Sequence, residues 1–283
     1  MQDQYLHDIE EAIEPIWEIA RGFGLDPFPV HFELVPAAIM YEFGSYGLPG
    51  RFSHWSHGKM YHRMKTQYDY GLSKIYELVI NTDPSYAFLM EANSILQNKL
   101  VIAHVLGHCD FFKHNAYFAR TNRHMLETAS LNAARIRRYE HEHGLQRVER
   151  FLDAVLSIQE HIDPYSKEVT GVQEDRELSS VPTSQFDDLF SITERDTPKP
   201  APVQPKDRRF PARPEKDLVG FIMEHSRQLE PWQRDVIGIV RQEMLYFVPQ
   251  MQTKIANEGW ASLWHARTMR ELDLTDQEFT EYA

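Results

Sequence analysis

The chain has 283 residues, 42% hydrophobic and 12% aromatic, with a net charge of −12 from 30 basic and 42 acidic side chains. That composition supports one large domain or two smaller ones, and the acidic balance opposes general binding to nucleic acid or to an anionic membrane surface. The single cysteine, Cys109, excludes an intrachain disulfide and suits a reducing compartment.

Residues 5–22 read as an amphipathic helix with Ile9, Ile13, Ile16, Trp17 and Ala20 on one face, although Pro15 would bend or break it. Acids interrupt this segment, so it is not a signal peptide. No apolar run approaches the ~20 residues that span a bilayer, and a cytoplasmic protein with no membrane insertion is expected. Residues 41–58 have loop composition, with Gly44, Gly47, Pro49, Gly50 and Gly58. Residues 59–74 predict a helix, KIYELVIN (74–81) a buried strand, and YAFLMEAN (86–93) a second apolar run that would close a hairpin. Helices are predicted over 97–112, 121–143 and 145–161, the last two parted at Gly144. From 164 to 214 the composition turns proline-rich and aperiodic, as in a linker or surface strap. Helix returns at 217–226 and 231–247, and a last helix is expected to begin at Pro249, since proline suits a first turn. The expected fold is α+β and mostly α-helical, with a small β-hairpin or sheet preceding a zincin-like His-x-x-x-His helix. Its parts are residues 1–163, the strap 164–214, and C-terminal helices 215–283 that pack back on the first part.

The sharpest chemical feature is His104-Val-Leu-Gly-His108 on the helix predicted over 97–112. Residues four apart share a helical face, roughly 6 Å from one another, so two neutral imidazoles can hold one metal ion. Metalloprotease helices of this kind read His-Glu-x-x-His, with the glutamate as general base; here Val105 occupies that position. Asn257-Glu258 and His265 lie on a late helix, where such enzymes often carry a third, glutamate ligand. The candidate ligands are therefore His104, His108 and Glu258, with His265 either a ligand or a group supporting one. A divalent metal is implied; zinc suits this donor set, as do iron, manganese and nickel. Glu91, on the apolar run before the helix, and His265 are the candidate acid/base groups. His114 has the spacing of a metzincin ligand but lacks the intervening glycine, and Cys109 and Asp110 point away from the histidine face.

A second feature is Gly50-Arg-Phe-Ser-His54 through Lys65, rich in basic side chains for so acidic a chain. Arg51, His54, Lys59 and Arg63 could line a pocket for a carboxylate or phosphate, or balance acidic neighbours on a partly exposed helix. There is no Gly-x-Ser-x-Gly, no phosphate-cradling glycine loop and no dinucleotide fingerprint, which sets aside nucleotide hydrolysis and Rossmann redox chemistry.

The segments PGRFSHWSHGKMYHRMKTQYDYGLSKIYELVIN (49–81), NKLVIAHVLGHCDFFKHN (98–115) and WQRDVIGIVRQEMLYFVPQMQTKIANEGWASLWH (232–265) resemble the SpoVR (stage V sporulation protein R) family. The resemblance implies a bacterial cytoplasmic protein linked to spore cortex formation or, in non-sporulating bacteria, to a stress response alongside a PrkA-type serine kinase. It implies no established reaction. Family members usually continue past the point where this chain stops. Two readings stay open: a metal-dependent, hydrolase-like protein without the usual base, and a non-enzymatic regulatory or scaffold protein.

Overall fold

The computed structural model describes residues 2–72, 77–164 and 216–282. Helix α1 (Gln2–Gly22) buries Ile9, Ala12, Ile16 and Ala20 as one stripe. It runs unbroken through Pro15, which is exposed, as is Glu11 one turn earlier, whose carbonyl loses its helical partner there. Strand β1 (Val30–Val35), framed by Pro29 and Pro36, is an element that the sequence reading does not anticipate. Helix α2 (Ala37–Tyr46) then corrects the loop expected from residue 41 onward: Met40 and Tyr41 are fully buried, and Gly47 ends the helix in the left-handed region at φ 77°. A glycine there is a helix stop, not evidence of a loop before it. Helix α3 (Trp55–Asp69) follows, capped by His54.

Strands β2 (Glu77–Ile80) and β3 (Ser85–Met90) form the expected hairpin, antiparallel, with Glu77 opposite Leu89. β1 adds to β3 in parallel, so the sheet order is β1-β3-β2 and β2 lies at an edge. Helix α4 (Ile95–His114) crosses the middle of the molecule. It is anchored by a capping box between Ser94 and Gln97 and buried on nearly every side from Leu96 to Phe112. Helices α5 (Met125–His143) and α6 (Leu145–Leu156) part at Gly144, whose φ of 87° only glycine adopts readily.

After α7 (Leu218–His225), the helix expected to begin at Pro249 proves to be the second half of one 41-residue helix, α8 (Pro231–Glu271). Met244, Tyr246 and Val248 before the proline and Thr253 and Asn257 after it are all buried. Packing along the whole length outweighs one lost backbone bond. A short helix α9 (Asp276–Tyr282) is tied to α4 by Lys99 and Glu278, 2.6 Å apart.

The sheet and α1 cover one side of α4, and α8 covers another. The two long helices touch at Gly107, where an added Cβ would stand 2.8 Å from the Ala261 Cα. The strap expected at 164–214 falls almost wholly on residues outside the described ones.

Candidate metal centre

Three elements deliver the site. Along β2, Glu77 shares a face with Val79, which packs into the apolar cluster around α4. α4 supplies His104 and His108 from consecutive turns. The close contact at Gly107 brings α8 near enough for Asn257 and His265, four residues either side of Ala261, to reach the two imidazoles.

Both imidazoles present Nε2 to the same small space. Glu77 Oε1 lies 3.4 Å from His104 Nε2 and 3.3 Å from His108 Nε2. Glu258 Oε2 lies 3.6 Å and 3.8 Å from the same two atoms. Ligand atoms bound at ~2.0–2.1 Å to a tetrahedral ion stand ~3.3–3.4 Å apart, so these separations fit donors around one small ion. The tight group is Glu77, His104 and His108, whose donor atoms all fall within 4.8 Å of one another. The Glu258 side chain is 52% exposed, against 23% for Glu77, and approaches from the solvent side.

The other ring nitrogens are also held. His108 Nδ1 donates to Asn257 Oδ1 at 2.9 Å, which leaves Nε2 with its lone pair. His104 Nδ1 lies 2.7 Å from His265 Nδ1; a proton on the His104 side of that bond leaves His104 Nε2 free as well. Burial pulls the His104 imidazole below its usual range, and the neighbouring His108 adds to this against the pull of Glu77. At His108 burial acts the same way, but hydrogen bonds donated to Glu77 and Asn257, with the charges of Glu77 and Glu258, outweigh it and raise the value. Burial, with His104 beside it, takes His265 down to about 4. A neutral His265 can accept the His104 proton.

The structure thus brings His104, His108 and Glu258 to one point. It sets His265 behind His104, in a supporting position and out of the space between the carboxylates. Glu77 and Asn257 are the groups that sequence reasoning missed. The signal for Glu77 was a carboxylate opening an otherwise apolar strand; for Asn257 it was an amide one residue before Glu258. Glu91 is exposed at the end of β3, and its charge is felt by Tyr5. The Tyr5 hydroxyl bonds Asn98, which precedes His104 by six residues, or ~9 Å along α4.

The four basic candidates do not converge. Arg51 is held by the buried Glu243 carboxylate at 2.7 Å and by the Tyr46 carbonyl. His54 caps α3 and faces Asp153 at 3.2 Å. Lys59 stands over the Trp55 ring, and Arg63 is exposed. Neighbouring carboxylates take up the first two, which is the charge-balancing alternative. His114 pairs with Asp26 at the surface. Cys109 is buried and its thiol pushed up to about 12, and Asp110 accepts from the Trp260 indole and the Asp26 amide.

Comparison with known proteins adds two matches. The family model described as SpoVR like protein matches residues 3–283. YcgB of Escherichia coli (strain K12) is 32% identical over 279 residues, 95% of this chain, and the chain spans about half (53%) of YcgB. No solved structure matches the chain significantly. Among the described residues, no helix is long and apolar enough to cross a membrane.

Proposed function

The chain belongs to the SpoVR family, and from that premise we propose that it is a metal-binding, metallohydrolase-like protein whose divalent ion sits between Glu77, His104, His108 and Glu258. The observation that carries this reading is the meeting of two imidazole Nε2 atoms with two carboxylates at 3.3–3.8 Å. Without an ion between them, two carboxylates directed at one point would gain little from such a cluster. A divalent ion there would supply Lewis-acid activation of a water or carbonyl. Asn257 and His265 orient the rings. Val105 is fully buried and cannot move a proton at the site. Glu258, half open to solvent, is the carboxylate placed to accept one, so it takes over the duty that a motif glutamate performs elsewhere. With Glu77, His104 and His108 as the lasting ligands, one position stays open, as catalytic sites require.

Elemental analysis of protein purified without added metal tests the reading. About one ion per chain should be retained, and His104→Ala should lose it. Protein that retains none, and takes up none from micromolar zinc, iron, manganese or nickel, would end it.

The family resemblance supports a bacterial, cytoplasmic setting in spore cortex formation or a stress response. It also supports the second reading, a regulatory or scaffold protein acting with a PrkA-type serine kinase. One observation favours that alternative: Glu258 Oε2 lies within 3.8 Å of both Nε2 atoms, close enough for protein to fill all four positions around an ion, as in structural sites. Cobalt(II)-substituted protein separates the two. An absorption band that shifts on adding acetohydroxamate marks an open position; an unmoved band marks a closed one.

A further inference from the structure

Beside the site lies a cavity of about 620 Å³ that reaches from His108 and Glu258 toward α2 and α3. Glu77, Leu78 and Val79, three consecutive residues of β2, all line it. Successive side chains of a strand point to opposite faces. Here Val79 packs with the cluster around α4, while Leu78 packs with the cluster around Met40 and Met125 on the other face. A cavity touching both faces and the residues between them runs along the strand's edge. That edge is unpaired among the described residues, because β2 pairs only with β3.

An open strand edge presents a row of backbone donors and acceptors, spaced to match another extended backbone. The facing wall is supplied by α3 and α8 and includes Met60, Met64 and Met251. Unbranched thioether side chains adapt to varied apolar groups without selecting one shape. The two walls therefore ask for different things: one for a regular array of amides, the other for apolar side chains of variable form. A cation at the end of the cavity would attract a carbonyl oxygen. A small metabolite, a sugar or a nucleotide meets none of these demands together, and a polypeptide in extended conformation meets all three.

We propose that the cavity binds an extended peptide segment as an added strand along the free edge of β2, with apolar side chains entering the methionine-lined wall and a backbone carbonyl reaching the site at Glu77. This rests on the metal-site reading only for the last step. The strand addition stands on the edge and the cavity alone, and is a recognised mode of peptide binding.

The test uses the full chain and a phage-displayed library of random decapeptides, with the enriched peptides resynthesised and measured by fluorescence anisotropy. Backbone N-methylation of alternate residues should weaken binding at least tenfold in one phase and leave it unchanged in the other, since only every second amide of an added strand faces its partner. Met60→Glu with Met251→Glu, at positions 43% and 54% exposed, should also weaken binding at least tenfold without lowering the melting temperature. No enrichment, or N-methylation that acts equally in both phases, would overturn the proposal. So would full affinity in the folded double variant. Should that variant unfold, the N-methylation series still decides. Peptide binding by protein that neither retains nor takes up a metal would sink the metal reading and leave this one standing; metal without peptide enrichment would do the reverse.

Discussion

The Nδ1 contacts of His104 and His108 decide what their Nε2 atoms can do. Asn257 and His265 each hold one Nδ1, and groups in that position fix tautomer and ring orientation. Asn257→Ala and His265→Ala are each expected to lower metal affinity by roughly 10–100-fold, while Glu77→Gln, which removes a charged donor, should cost more than either. Competition against a chromogenic chelator reads all three; equal affinity in Asn257→Ala and wild type would remove the amide from the site. Glu258→Gln should behave differently, with most metal affinity kept and any hydrolytic turnover lost. A second residue-scale test concerns Arg51 and Glu243. The Glu243 carboxylate is 0% exposed and one of its oxygens has no partner among the described residues, so burial raises its pKa and Arg51 only partly offsets this. Arg51→Met should destabilise by about 3–5 kcal/mol, because it leaves a buried charge alone, whereas Arg51→Met with Glu243→Leu should recover most of that loss. Urea titration of the three variants gives the cycle, and a double variant no more stable than Arg51→Met would refute the account.

The contact of α4 with α8 depends on one residue lacking a side chain. At Gly107 a Cβ would meet backbone, the Ala261 Cα at 2.8 Å, and not a flexible side-chain end. Gly107→Ala must therefore part the helices, at about 1–3 kcal/mol, and must draw Asn257 and His265 back from the imidazoles. Ala261→Gly should not rescue it, since the clash is with Cα. A melting curve with metal titration checks both points, and an unchanged metal affinity would show that the helices need not touch for the site to form. This contact also marks the limit of what the sequence made legible. His104 and His108 could be paired from spacing alone, because both sit on one helix and helical geometry is local. Glu258 could be added because its helix was plain. Glu77 could not, since nothing local says which face of a four-residue strand meets which helix. β1 was missed although Val30, Phe32 and Leu34 alternate with exposed residues, because three alternations in a six-residue run between prolines are a weak local signal. Pro249 was read as a helix start because the packing that carries α8 through it comes from distant segments.

At the scale of the molecule, a metal held by Glu77, His104 and His108 would join β2 to α4 and lie against Glu258 of α8, segments separated by up to about 180 residues of chain. An ion that binds the folded state alone adds stability as its concentration rises, about 2.7 kcal/mol at a hundredfold excess over Kd. Chelation should therefore lower the melting temperature of the whole chain in one cooperative step. Acid should act in the same direction by two routes. The ligand imidazoles must be neutral to bind, so protons displace the ion as pH falls toward and below the usual histidine range. Independently, burial holds His57 down to about 4, with Arg51 and His54 adding to the effect. The unfolded chain then binds more protons than the folded one between its own histidine value of ~6.5 and about 4. The slope of stability with pH is positive there, so this contribution is complete above ~6.5 and is lost as pH falls through that window. Between pH ~6.5 and ~5 ordinary carboxylates contribute little; Glu243, raised by burial, works in the opposite direction, so a loss of stability in that interval belongs to the histidines. The chelated protein should lose stability across it, the metal-loaded protein should lose more, and His57→Gln should flatten both slopes by the same amount. Guanidinium titrations at half-unit pH steps measure these slopes. If chelated and loaded protein follow the same curve, no ion links the three elements; if His57→Gln leaves the chelated curve unchanged, the buried imidazole is not what acid attacks.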